Sequence, residues 1–319
     1  MKPLLCLALV AACGAPDYDV EPYSPAQHGW PYLSPEQIDG REPYSRPISG
    51  DQLAQQLEAV FAAEPPAPRA DAPVDLRPRI VRALNIGFML DGLQERPREV
   101  RVIAAAHRGD FVWYRVTVSD DIVQDLELDY LEPIGRTGPA PGVVGLHGHY
   151  DDGQVFAEDY LGVELARRGY AVVAPTFRHM ACGDDERDQA VYLLREGFSL
   201  MTYRVYEALV ALEFLRTRAG VDPTRIGIAA HSGGSSTANL VVRLSDAVAA
   251  VMTDWQVEYR EGCTGRVHCE TVPALFPHAA EINDQGSLKM PHLRVEYGFG
   301  DDEVRAGILA FFDQTLGAS

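Results

Sequence analysis

Residues 225–239, RIGIAAHSGGSSTAN, decide the fold. The apolar run Ile226, Ile228, Ala229 and Ala230 is cut short by His231-Ser232-Gly233-Gly234, and Leu240, Val241, Val242 and Leu244 then recur at helical spacing. This predicts a strand, a very tight turn and a helix. The turn, Ala230 to Gly234, reads small-x-Ser-x-small. A serine in such a turn is held in a strained backbone conformation that exposes its hydroxyl. Side chains two residues to either side would collide unless small, and glycine relaxes the backbone constraint. Ser232 then stands at a helix N-terminus, where free N–H groups favour a developing negative charge. Ser232 is therefore the candidate nucleophile.

Around this motif, buried strands alternate with helices. Strands are expected at 142–146, 170–174, 225–230, 247–253 and 292–297. Helices are expected at 154–168, 188–218 (interrupted near Gly197), 235–245 and 303–316. Such alternation implies an α/β fold, a mostly parallel sheet with helices on both faces. Ligands bind such sheets at the carboxyl ends of the strands. Ahead of it, residues 99–106, 110–119 and 122–131 carry the β-branched and aromatic alternation of antiparallel strands at one sheet edge. Residues 51–98 form an N-terminal helical segment: 51–63 places Leu53, Leu57, Val60 and Phe61 on one face, and 77–93 is a second helical stretch. Residues 254–287 are irregular, too long for an ordinary connection, and expected to be functional.

Residues 1–13, MKPLLCLALVAAC, read as an export signal, too short for a permanent membrane anchor. Its ending, Val10-Ala11-Ala12-Cys13, resembles the bacterial lipobox, which predicts lipidation at Cys13 and a lipid-anchored protein of the cell envelope. Residues 14–50, rich in Pro and Tyr, read as a tether. Of the five Cys, Cys182, Cys263 and Cys269 stay in the exported chain. Cys263 and Cys269 enclose a short loop and are the expected disulfide in an oxidising compartment. With 28 Lys+Arg against 46 Asp+Glu, the net charge of −18 excludes nucleic acid as a partner, since phosphate binding needs basic surface. The membrane is expected to be met only through the N-terminal lipid.

Residues 146–152, LHGHYDD, follow the 142–146 strand. A carbonyl attacked by Ser232 needs two donors for its oxyanion. The N–H of Gly233 is one, and the N–H of His149, on a loop with a His-Gly pair, is the other candidate.

Residues 146–152, 161–175, 204–227 and 231–234, with ALEFLRTRAGVDPTRIGIAAHSGGS above all, resemble the bacterial acetyl xylan esterase and dienelactone hydrolase branch of the α/β-hydrolases. The resemblance spans roughly residues 99–312. It implies ester cleavage through an acyl-serine at Ser232, no cofactor, and a small ester or acetylated carbohydrate as substrate. It also implies a late Gly-x-x-Asp acid, which Tyr297-Gly298-Phe299-Gly300-Asp301 supplies, with Asp302 in reserve. A further strand and a His should follow, yet after Asp301 the chain shows one helix, so the fold reads as truncated after the acid strand. Aligned from the C-terminus, Asp301 falls where the family has its His. None of the nine His lies beyond His292.

A substitute base is sought among the other His. His292 opens the strand that precedes Asp301, roughly 25–30 Å from it at about 3.3 Å per residue, and is rejected. His147, His149, His179 and His231 follow strand carboxyl ends, but the side chain of a residue in His231's position normally points away. His268 and His278 lie in the irregular 254–287 segment. His278 is favoured, then His179. Asp254, closing the 247–253 strand, is an alternative acid. Zinc on His147, His149 and His179 with nearby Asp residues (Asp151, Asp152, Asp184, Asp185), or on Cys263, His268 and Cys269, is the lesser reading, and no metal is expected. Two functions stay open: a serine esterase, and a degenerate hydrolase that binds without efficient turnover. Without a base, activity should be weak and little changed by Ser232→Ala.

Overall fold

The computed structural model describes residues 49–64, 75–178, 180, 184–260, 267–296 and 299–317. The export signal, Cys13, the tether up to residue 48, His179, Cys182 and Cys263 lie outside the described residues.

Helix α1 (Gly50–Ala62) begins at a capping box: Ser49 Oγ accepts the Gln52 N–H at 3.2 Å, and the Gln52 side chain accepts the Ser49 N–H at 3.0 Å. Leu53 and Leu57 point into the core. The stretch expected as one helix over 77–93 is two, α2 (Arg77–Leu84) and α3 (Gly87–Leu90). The break is Asn85, whose φ of 51° is left-handed. Asn tolerates that conformation better than other side chains, because its amide bonds locally.

Strands β1 (Glu99–His107), β2 (Phe111–Ser119) and β3 (Leu126–Pro133) form the expected antiparallel edge. β3 starts later than expected because the Asp120 carboxylate accepts the N–H groups of Ile122 and Val123 and folds them into a turn. β1 is exposed along its length, and Ile103 bulges out of its ladder between Val102 and Ala104. β4 (Ala140–Leu146) opens the parallel part. The helix expected at 154–168 is a short turn, a π-helix (Phe156–Tyr160) and α4 (Gly162–Arg167).

β5 (Ala171–Pro175), α5 (Asp184–Arg195), α6 (Leu200–Arg216), β6 (Val221–Ala230), α7 (Gly233–Leu244) and β7 (Ala250–Thr253) follow. The late segment is irregular apart from α8 (Ala279–Asn283) and two 3-10 turns; β8 (His292–Arg294) and α9 (Asp302–Leu316) close the chain. The eight strands run β1-β2-β3-β5-β4-β6-β7-β8, with β5, β4, β6, β7 and β8 parallel. Among the described residues no strand follows β8.

Alternate residues of the central strands face opposite cores, as a period of two requires. Val144, Val173 and Ile228 join α1, α2, α6 and α7 on one side. Val143, Val172 and Ala229 join Phe156, Leu165 and Phe312 on the other. α6 is buried from Leu200 to Leu215, which is why its sequence shows no polar face. Its N-cap, Ser199, is buried and accepts the Thr202 N–H at 3.1 Å, while Thr202 Oγ1 donates to Leu84 O at 2.7 Å. Ser199→Ala should lower stability by about 1–2 kcal/mol, read as a shifted urea midpoint at unchanged slope. Among the described residues no helix is long and apolar enough to cross a membrane.

Candidate active site

Three parallel strands end flush. Leu146 of β4 pairs with Ala230 of β6, and Ala230 with Thr253 of β7. The residues that follow, His147, His231 and Asp254, therefore leave the sheet side by side. The turn after β6 carries the strain expected of it: Ser232 has φ 49° and ψ −120°. Gly233 is the first residue of α7, so its N–H has no carbonyl partner within the helix.

Asp254 holds this turn together. Its side chain is fully buried. Oδ1 accepts the Ser232 N–H at 2.7 Å and the Ser235 hydroxyl at 3.1 Å, and Oδ2 meets His231 Nδ1 at 2.5 Å. The His231 ring is walled by Tyr160 and Phe299, which stack on each other at 5.0 Å and meet it edge to face at 5.0 and 5.4 Å. His231 Cδ2 and Ser232 Cβ lie 2.9 and 3.0 Å from the point where a Cβ on Gly148 would stand. Both residues thus border Gly148, where a side chain would have to displace them.

The loop after β4 is braced by His147. Its Nδ1 contacts Gly148 O at 2.7 Å and its Nε2 accepts the Phe177 N–H at 2.8 Å. Burial pushes its pKa down to about 4, so it stays neutral and serves as a brace. The His149 ring lies against Gly233: a Cβ there would stand 2.8 Å from His149 Cε1 and Nδ1.

Of the residues expected at the site, Ser232, Gly233 and His149 come together. Asp301 goes elsewhere. It is exposed, and its carboxylate caps α9 by accepting the N–H groups of Glu303 at 2.9 Å and Val304 at 3.1 Å. Asp302 is in the exposed first turn of that helix. His278 meets Arg79 of α2 at 2.9 Å, beside a cleft of about 610 Å³ lined by Leu53, Arg82, Phe198 and Val272, which includes neither Ser232 nor His231. Cys269 is a free buried thiol and forms no bridge; Cys263, its expected partner, lies outside the described residues.

The sulfur of Cys269 instead joins a group whose histidines the sequence divided between two lesser zinc readings and whose carboxylate, Glu186, it did not offer. His149, Glu186, His268 and Cys269 bring four potential ligand atoms within 4.8 Å of one another, where no metal was expected. Glu186 is on α5, and 37 and 82 residues separate it from His149 and His268, so no spacing signalled the group. Burial pushes the Cys269 thiol up and the His268 imidazole down. Burial alone would raise Glu186, yet His149 and Arg204 hold it well below the usual carboxylate range.

No family model matches the chain. A curated Bacillus subtilis (strain 168) protein, "Putative hydrolase YtaP", is 29% identical over 154 residues, which cover 40% of this chain and 51% of that protein. The match thus spans about half of that relative's length. Among solved structures, an acetyl xylan esterase from Paenibacillus sp. R4 superposes with a TM-score of 0.58 at 14% identity, covering 82% of this chain and 99% of that one. A "putative acetyl xylan esterase" from Bacteroides fragilis NCTC 9343 gives 0.54 at 14% identity, covering 92% and 84%. At such identities the likeness speaks for the fold, and it agrees with the strand order and the turn at Ser232: the chain is folded as an α/β-hydrolase, in the form seen in carbohydrate esterases.

Proposed function

We propose that the protein is a serine esterase in which His231 is the base and Asp254, in place of Asp301, the acid that orients it. One observation carries this reading: a buried carboxylate at the flush end of β7 binds both the Ser232 N–H and His231 Nδ1. In the proposed mechanism, Ser232 Oγ attacks the ester carbonyl and passes its proton to His231 Nε2. Asp254 fixes the Nδ1–H tautomer and stabilises the imidazolium. The N–H groups of Gly233 and His149 receive the oxyanion. The protonated His231 gives its proton to the leaving alcohol, and water, deprotonated by the same imidazole, releases the acid from the acyl-serine.

Similarity to carbohydrate esterases supports a small ester or an acetylated carbohydrate as substrate. Tyr150 and Trp255 directly follow His149 and Asp254 and are 73% and 45% exposed, offering aromatic faces beside the site. Trp255→Ala should raise KM for acetylated xylo-oligosaccharides several-fold while leaving p-nitrophenyl acetate unaffected. An equal change for both esters would remove Trp255 from carbohydrate binding.

The decisive experiment is fluorophosphonate labelling of the purified chain with peptide mapping. A label on Ser232, absent from Ser232→Ala and His231→Gln, supports the esterase. An unlabelled, folded wild type favours the degenerate binder.

The ending Val10-Ala11-Ala12-Cys13 supports lipid anchoring in the cell envelope. Cys13→Ser should move the protein from the membrane fraction to the soluble one. A wild type already soluble would refute the anchor.

A further inference from the structure

We propose that His149, Glu186, His268 and Cys269 form a zinc site, separate from the ester chemistry, that clamps the loops over the carboxyl edge of the sheet. The four residues come from three segments: the loop after β4, the first turn of α5, and the irregular stretch after β7. Their side chains are almost fully buried, at 8%, 1%, 6% and 0% exposure.

The distances fit one small ion. His149 Nε2 is 3.2 Å from Cys269 Sγ and 3.6 Å from Glu186 Oε1. His268 Nδ1 is 3.4 Å from the same sulfur and 3.8 Å from the same oxygen. A tetrahedron built on zinc bonds of about 2.0–2.3 Å has edges of roughly 3.3–3.8 Å.

His268 Nδ1 accepts the Glu270 N–H at 3.3 Å, so the proton is on Nε2, and zinc would displace that N–H from the nitrogen's single lone pair. That Nε2 is buried without a hydrogen bond and faces Glu270 Oε2 at 3.9 Å, where a carboxylate orients a metal-bound imidazole. Glu270 is itself held by Ser236 Oγ of α7. With Cys269 as thiolate, the donors carry two negative charges, which one divalent cation balances. Arg204 approaches Glu186 Oε1 at 3.6 Å and adds a positive charge beside the group.

The mixture of one thiolate, two imidazoles and one carboxylate suits zinc and not magnesium or calcium, which take oxygen ligands. Four protein ligands close the coordination sphere, the mark of a structural site. Its effect on the neighbouring chemistry is positional, since the ring it fixes is that of His149, packed on Gly233.

The test is metal analysis of the full chain, free of any polyhistidine tag, after growth with zinc sulfate. One zinc per chain is expected, falling below a tenth in Cys269→Ser and in Glu186→Gln. Titration of chelator-stripped wild type with cobalt chloride should give tetrahedral d–d absorption and a thiolate-to-cobalt charge-transfer band at one equivalent. Chelation should also lower the melting temperature by several degrees, and zinc should restore it. A folded wild type that takes up neither zinc nor cobalt would overturn the proposal, as would stoichiometric metal lacking the thiolate band. Both readouts are independent of fluorophosphonate labelling, so the zinc site and the esterase reading fail separately.

Discussion

Ser232→Ala should lower turnover of an acetyl ester by on the order of 10⁶-fold, and His231→Gln by a similar factor, because nucleophile and base act as a unit. Asp254→Asn should cost about 10⁴-fold, by favouring the wrong imidazole tautomer. The double variant Ser232→Ala/His231→Gln should be no worse than either single one. His278→Ala and Asp301→Asn should leave turnover within about two-fold, since one side chain is bound to Arg79 and the other caps α9. Steady-state kinetics on p-nitrophenyl acetate and on acetylated xylan read all of these. If His231→Gln keeps more than about a tenth of wild-type turnover, the base is not His231. From sequence alone the opposite follows for Ser232→Ala, a small effect on an already weak activity. The two expectations differ by orders of magnitude, and the difference comes entirely from the contact between His231 and Asp254.

The second large effect concerns Gly234. A Cβ there would stand 2.3 Å from the carbonyl oxygen of Leu146 and 2.6 Å from that of His147. Both obstacles are backbone at the end of the central strand, so no rotamer change relieves them. Gly234→Ala should destabilise by more than the roughly 1–3 kcal/mol of ordinary overpacking. For a chain of this size that is a melting temperature lower by about 5 °C or more, or failure to fold. Gly233→Ala meets instead the end of Met180 at 2.4 Å and the His149 ring at 2.8 Å. It should fold, because Met180 can move, but with lower turnover, because His149 is displaced. Calorimetry on the pair decides it: a Gly234→Ala protein melting within two degrees of wild type would show that the β4 edge yields.

The fold was legible because its signals are local. Strand, turn and helix around Ser232 follow from adjacent residues, and the alternation of strands and helices follows from periodicity. The site was legible only where its residues are neighbours in sequence or sit on a motif, as Ser232, Gly233 and His149 do. Asp254 was recognisable as an acid at a strand end, but its partner was not, since the rule that the residue before the nucleophile points away excluded His231. What brings them together is register, Ala230 opposite Thr253, and register across separate strands leaves no mark on either one. Asp301 illustrates the converse. Its Gly-x-x-Asp setting is also that of a helix cap, and the cap is what the carboxylate forms. Glu186 was invisible for a third reason: on an acidic helix start, DDERD, nothing in the sequence singles out Glu186 as buried.

The bulge at Ile103 bears on solubility. Among the described residues β1 is an edge strand, paired with β2 alone, and it carries the exposed side chains of Val100, Val102 and Ile103, a combination that invites another chain to add a strand. One extra residue breaks the hydrogen-bond spacing midway and increases the twist, so an incoming strand meets no long straight template. Removing the irregularity would regularise the edge: a chain lacking Ile103 should keep its core intact and aggregate at a lower concentration than wild type, as read by light scattering.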